Sequence, residues 1–116
     1  MTPKQLNKEY EKAKAEYLAE IVHGNGTCTC RGCNHEFRTI EIHHIIKRSR
    51  LKYYYADPRN FIELCPGCHQ KTEGTIKEQK TLNCYEGMRL IKYDLLSEYN
   101  SLKPYEQTLL WKYGNK

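Results

Sequence analysis

Apolar residues recur at Leu6, Tyr10, Ala13, Tyr17 and Ile21, in steps of three and four that gather them on one side of an α-helix. Thr2 is a ready N-cap, Pro3 suits the first helical position and Gln5 completes a capping box, so the pattern predicts one amphipathic helix over residues 2–23. Gly24-Asn25-Gly26 should stop it, because these residues tolerate the left-handed conformation that closes helices. The pattern then changes. Ile40-Glu41-Ile42-His43-His44-Ile45-Ile46 is rich in β-branched residues and reads as a strand, and Phe61-Ile62-Glu63-Leu64 as a second, shorter one. Between them lie a basic, tyrosine-rich loop from Lys47 to Tyr55 and a turn at Asp57-Pro58-Arg59-Asn60. His69-Gln70-Lys71-Thr72-Glu73 reads as a short helix ending near Gly74. From Ile76 the pattern is helical again, with Tyr85, Met88, Ile91, Leu95 and Tyr99 on one stripe. Pro104 opens a last short helix carrying Leu109 and Trp111.

This order gives an α+β chain in three parts: an N-terminal amphipathic helix over 1–26, a mixed core over 27–75 and a helical extension over 76–116. A chain of 116 residues makes one domain whose core buries only part of the unfolded surface, so a metal staple would add useful stability. Its 39% apolar and 28% charged residues suit a soluble globular protein. No apolar run approaches the roughly 18 residues of a membrane span, and the N-terminus lacks the apolar core of a signal peptide. The expected location is therefore cytoplasmic, with no membrane partner.

Six cysteines would fit a disulfide scaffold only in an exported protein, so metal binding is the favoured use. Cys30-Arg31-Gly32-Cys33 and Cys65-Pro66-Gly67-Cys68 are two C-x-x-C pairs, each with turn-forming residues inside, the usual way to set four sulfurs around zinc. Four thiolates close the coordination sphere, so such a zinc would serve folding. The 31 residues between the pairs exceed the common spacing of about 15 to 20, which means the site clips together a larger insert. Disulfides or metal-free buried thiols are the alternatives. Cys28 and Cys84 are left over as free thiols.

That insert holds His43 and His44, which on an apolar strand would ordinarily be packing residues. Their context is unusual: Glu41-Ile42-His43-His44-Ile45-Ile46, then Asn60-Phe61-Ile62-Glu63-Leu64, then Cys65-Pro66-Gly67-Cys68-His69-Gln70-Lys71-Thr72. This joint pattern, from about Cys30 to Gly74, resembles the HNH nucleases, also called His-Me finger or ββα-metal endonucleases. It departs from the commonest form in having His43 where Asp often stands and Lys47 where proline is frequent. The resemblance implies a small ββα-metal core stapled by the four-cysteine zinc, with flanking helices. It also implies His44 as general base and Asn60 as the middle catalytic position, which fixes the loop behind the base or helps hold the metal. His43 and His69 match ligands of a catalytic divalent ion (Mg²⁺, Mn²⁺, Ni²⁺ or Zn²⁺). Glu73, four residues after His69 on one helix face, is a candidate third ligand.

Phosphodiester hydrolysis gives these assignments an independent rationale. A histidine with an unperturbed pKa near 6.5 can take a proton from water at neutral pH, and such help is worth roughly a hundred- to ten-thousand-fold. Adjacent side chains on a strand point to opposite faces, so His43 and His44 should have different duties. The net charge of +5 is concentrated in residues 28–75, which carry eight basic against five acidic groups. Lys47, Arg48, Arg50 and Lys52 have no acid among them, and with Arg59 and Lys71 they are candidate phosphate contacts. Tyr53-Tyr54-Tyr55 could stack on bases or pack the loop.

The implied partner is DNA, double-stranded and read with weak sequence preference. A homodimer or a larger phage-type complex, in a host cytoplasm, is open by resemblance. The flanking helices either complete the core or add DNA contacts. The alternative function is a catalytically inactive, zinc-stapled nucleic-acid-binding module, or a purely structural zinc protein.

Overall fold

The computed structural model describes residues 2–102; the short helix expected after Pro104 lies outside them. Helix α1 spans Pro3–Ile21, with Thr2 and Gln5 exchanging both bonds of the expected capping box. It ends at Val22 in extended conformation, earlier than the glycines, and of these Gly26 takes positive φ (81°) in the following turn. Strands β1 (Cys28–Thr29) and β2 (Glu36–Phe37) then form a two-residue antiparallel hairpin around the first cysteine pair.

At the centre lies a second antiparallel hairpin, of β3 (Glu41–His44) and β4 (Phe61–Leu64), in a register that sets His43 opposite Ile62 and His44 opposite Phe61. The expected strand through Ile46 stops at His44. Beyond it Ile45 N–H donates to the Asn60 carbonyl and Ile46 N–H to the Asn60 side chain, so an amide replaces the next ladder partner. Short 3-10 turns, Lys52–Tyr54 and Pro58–Asn60, occupy the long connection.

Helix α2 covers Pro66–Lys71, starting inside the second cysteine pair because the Cys65 sulfur caps it and Pro66 fills the first position. The helix expected without interruption from Ile76 is divided into α3 (Ile76–Gln79) and α4 (Tyr85–Ser101). At the break Asn83 N–H donates 2.9 Å to the Gly32 carbonyl, and Leu82 and Cys84 enter the core beside the cysteines. The stripe expected on α4 is the one that packs.

Every residue of β4 is buried, because the hairpin is covered on both sides. On one side Tyr10 packs with Ile42 and Phe61, and Tyr17 donates 2.7 Å to the buried Glu63 carboxylate. On the other, Ile62 and Leu64 join Cys30, Cys65, Cys68 and Leu82 beneath α4. A third cluster, of Ile46, Leu51, Tyr54 and Leu95, fastens the long connection to α4. Among the described residues no helix is long and apolar enough to cross a membrane.

Candidate active site

The four cysteines converge as expected. Their sulfurs all lie within 4.8 Å of one another, near the ~3.8 Å edge of a tetrahedron with metal–sulfur bonds of about 2.3 Å. The donor set therefore fits a closed thiolate site of the kind zinc takes. Cys30 Sγ accepts from the backbone N–H of Gly32 (3.3 Å) and of Cys65 (3.2 Å), while Cys65 Sγ accepts from Cys68 N–H (3.4 Å). Burial opposes ionisation of Cys30, yet the backbone donors of Cys65, Cys33 and Gly32 outweigh it and bring the thiol down to about 7. Burial raises Cys68 and Cys33. The knuckles approach so closely that a Cβ on Gly32 would stand 2.9 Å from Cys68 Cβ and Sγ. Cys84 is buried in the same core but lies outside the sulfur cluster, and burial raises its thiol as it does that of Cys28.

His43 and His44 occupy opposite faces of β3. His44 is half-buried against α1, stacked on Tyr55 with centroids 4.8 Å apart and in contact with Tyr10 and Phe61. Its Nε2 lies 3.0 Å from the Tyr55 carbonyl. A carbonyl only accepts, so this bond requires the proton on Nε2 and leaves the Nδ1 lone pair available. Burial lowers the His44 pKa, and the bond to Tyr55 opposes part of that effect.

His43 is buried on the other face, its ring 5.1 Å from that of His69 on α2. Burial first, then His69 and His44, push its pKa down to about 4. His69 Nδ1 is 2.8 Å from the Glu41 carboxylate, which orients the ring and leaves Nε2 free. Glu41 is a partner that inspection of the sequence missed, although its position two residues before His43 on the same strand face was a usable signal. Glu73 bonds Lys47 Nζ at 2.8 Å, and this partner holds its carboxyl below the usual range. Among the described residues, the four cysteines are the one set of three or more metal donors drawn together; His43, His69 and Glu73 do not form a second.

Asn60 is fully buried. Its Oδ1 accepts from Ile46 N–H (2.7 Å), and its Nδ2 donates to the carbonyls of Ile46 (3.0 Å) and Tyr54 (3.2 Å). It ties both ends of the loop that follows His44, and its amide is spent on that task.

The basic candidates divide. Arg59 is clamped by Asp57 (2.8 Å) and Glu98 (2.7 Å), joining the turn before β4 to α4. Lys47 is engaged by Glu73, and Arg48 lies over the Tyr55 ring at 4.8 Å. Arg50 and Lys71 are exposed and Lys52 is half-exposed. Tyr54 is buried with its hydroxyl donating to the Leu95 carbonyl, and Tyr53 and Tyr55 pack in the same region, so the tyrosines build the loop.

A hairpin and a short helix that bring His43 and His69 together, clipped by a four-cysteine cluster, make a small α+β core consistent with a zinc-stapled ββα fold. Residues 30–74 match the family model described as HNH endonuclease. The match ends before α3 and α4. No curated protein and no solved structure matched the chain.

Proposed function

We propose that the protein is a metal-dependent HNH endonuclease that hydrolyses phosphodiester bonds of double-stranded DNA with weak sequence preference, its cysteine site holding a structural zinc. The observation that carries this reading is the 3.0 Å approach of His44 Nε2 to the Tyr55 carbonyl. With Nε2–H held by the Tyr55 carbonyl, Nδ1 is the basic nitrogen, and a depressed pKa keeps it unprotonated at neutral pH. His44 takes the proton of a water through Nδ1, the water oxygen bonds to phosphorus, and the 3′ oxygen departs. Asn60 positions this base by pinning the loop whose Tyr55 carbonyl holds the ring.

His43 and His69 would hold a divalent ion (Mg²⁺, Mn²⁺, Ni²⁺ or Zn²⁺), with Glu41 orienting His69. When bound, such an ion polarises the phosphate and stabilises the leaving alkoxide. Glu73, paired with Lys47 in this structure, would be the candidate third ligand. Arg48, Arg50, Lys52 and Lys71 contact backbone phosphates, whereas Arg59 serves the fold. Supercoiled plasmid with each divalent ion should be nicked or linearised, and His44→Ala should slow cleavage by roughly a hundred-fold or more while DNA binding persists. Equal cleavage by His44→Ala removes His44 from the mechanism. Binding without cleavage by the unaltered protein favours the zinc-stapled nucleic-acid-binding module instead.

A further inference from the structure

Beside His43, on the face of β3 turned towards His69 of α2, a cavity of about 460 Å³ opens between the hairpin, α3 and α4. Four cations line it: Lys47 and Arg50 from the loop, Arg89 and Lys92 from α4. Among the described residues no carboxylate does. Lys47 is paired with Glu73 and Arg89 with Glu86, whereas Arg50 and Lys92 have no acidic partner among the described residues. Of the remaining wall, Ile45, Leu82, Tyr85 and Met88 form an apolar floor and the exposed Ile76 a rim, while His43, Thr72 and Gln79 are its polar members. Half of this wall comes from α3 and α4, outside the segment that matches the HNH family model.

A cationic mouth over an apolar, partly aromatic floor suits a ligand that is anionic at one end and flat and apolar at the other. The volume lies in the range that encloses one small-molecule-sized group, and it is too confined for a base-paired step. Bases stack on aromatic side chains whatever their identity, while cations track the backbone. We infer that this cavity seats one unpaired nucleotide of the DNA strand next to the phosphate being cut, with its base on the floor and its phosphate between Arg50 and Lys92.

The inference rests on the nuclease reading and narrows its substrate to duplex with a displaced nucleotide, such as a bulge, a flap or a frayed end. It also gives α4 a duty beyond packing.

The test measures binding by fluorescence anisotropy with the His44→Ala protein, its cysteine site loaded and no further divalent ion added. Three DNAs of one sequence are compared: a perfect duplex, a duplex with a one-nucleotide bulge, and the same bulge with the base removed. The bulge should bind about five-fold or more tighter than the duplex, and the abasic bulge should lose that advantage. Adding Ile76→Glu should abolish the preference without harming the fold, because Ile76 is 58% exposed at the rim. Adding Lys92→Ala should reduce the preference and leave duplex binding within about two-fold. Equal affinity for the three DNAs overturns the inference, as does a preference that survives Ile76→Glu. So does a free deoxynucleoside monophosphate binding as tightly as the bulge, which would make this a small-ligand site. Plasmid cleavage by the unaltered protein reads the nuclease proposal separately: cleavage without bulge preference removes the cavity's role alone, and bulge preference without cleavage removes only the nuclease.

Discussion

Asn60 has every polar atom of its amide engaged inside the protein, so its removal strands several backbone groups at once. Asn60→Ala should cost roughly 3 kcal/mol in urea unfolding, since each buried group left without a partner is penalised by about 1–3 kcal/mol. A loss under about 1 kcal/mol would mean that water replaces the amide. His43 makes a pH-dependent contribution with a definite sign. Its pKa falls from 6.5 in the unfolded chain to about 4 in the folded one, so between these values the unfolded chain binds more protons. Stability is therefore full above about pH 6.5 and declines as pH falls towards 4, by about 3 kcal/mol in total without added divalent ion. Urea midpoints at pH 7.5 and 4.5, for the natural protein and His43→Gln, check this. Equal pH slopes in the two would assign the effect to another group.

At the scale of elements, the two knuckles look alike in sequence and differ in space. A Cβ on Gly32 meets Cys68 at 2.9 Å, whereas one on Gly67 meets nothing within 4 Å. Gly32→Ala should therefore lower stability by about 2 kcal/mol and reduce the metal content measured by mass spectrometry. Gly67→Ala, in helix α2, should leave both nearly unchanged or stabilise slightly. Similar losses in both would show that the knuckle approach does not limit packing. What could be read beforehand followed the length of the signal. Helix α1 was legible from its cap and repeated period, and strand β4 from a short, mainly apolar run, Phe61-Ile62-Glu63-Leu64, set off by the turn signal at Asp57–Asn60. Strands β1 and β2 were not, since two residues carry no period. Strand β3 was read too long because Ile45 and Ile46 are β-branched, yet Asn60 takes over their hydrogen bonds. The break before α4 was missed because Leu82 fits a helical pattern and is instead drawn to the cysteine core.

The whole molecule is organised around one hairpin with a different cover on each side, which explains why the site was only partly legible. The motif order named His43, His44, Asn60 and His69, but not that Glu41 steadies His69, that Arg59 is spent on Glu98, or that α4 walls the cavity beside His43. Apart from the spacing of Glu41 two residues before His43, these are long-range meetings with no local mark. The cysteines supply much of one cover, so metal removal should be a global event. A strong chelator should convert the folded chain to an unfolded one at 25 °C, seen as loss of the α1 and α4 signal in far-ultraviolet circular dichroism. An unchanged melting temperature after metal loss would show that the apolar core suffices. His69 follows Cys68 immediately on α2, whose N-cap is Cys65. During translation, at roughly 5–20 residues per second, His43 and His44 leave the ribosome a second or more before the residues that clasp them. A nascent chain thus carries its histidines on an unanchored strand, and the histidine pair assembles only after synthesis has passed the clasp.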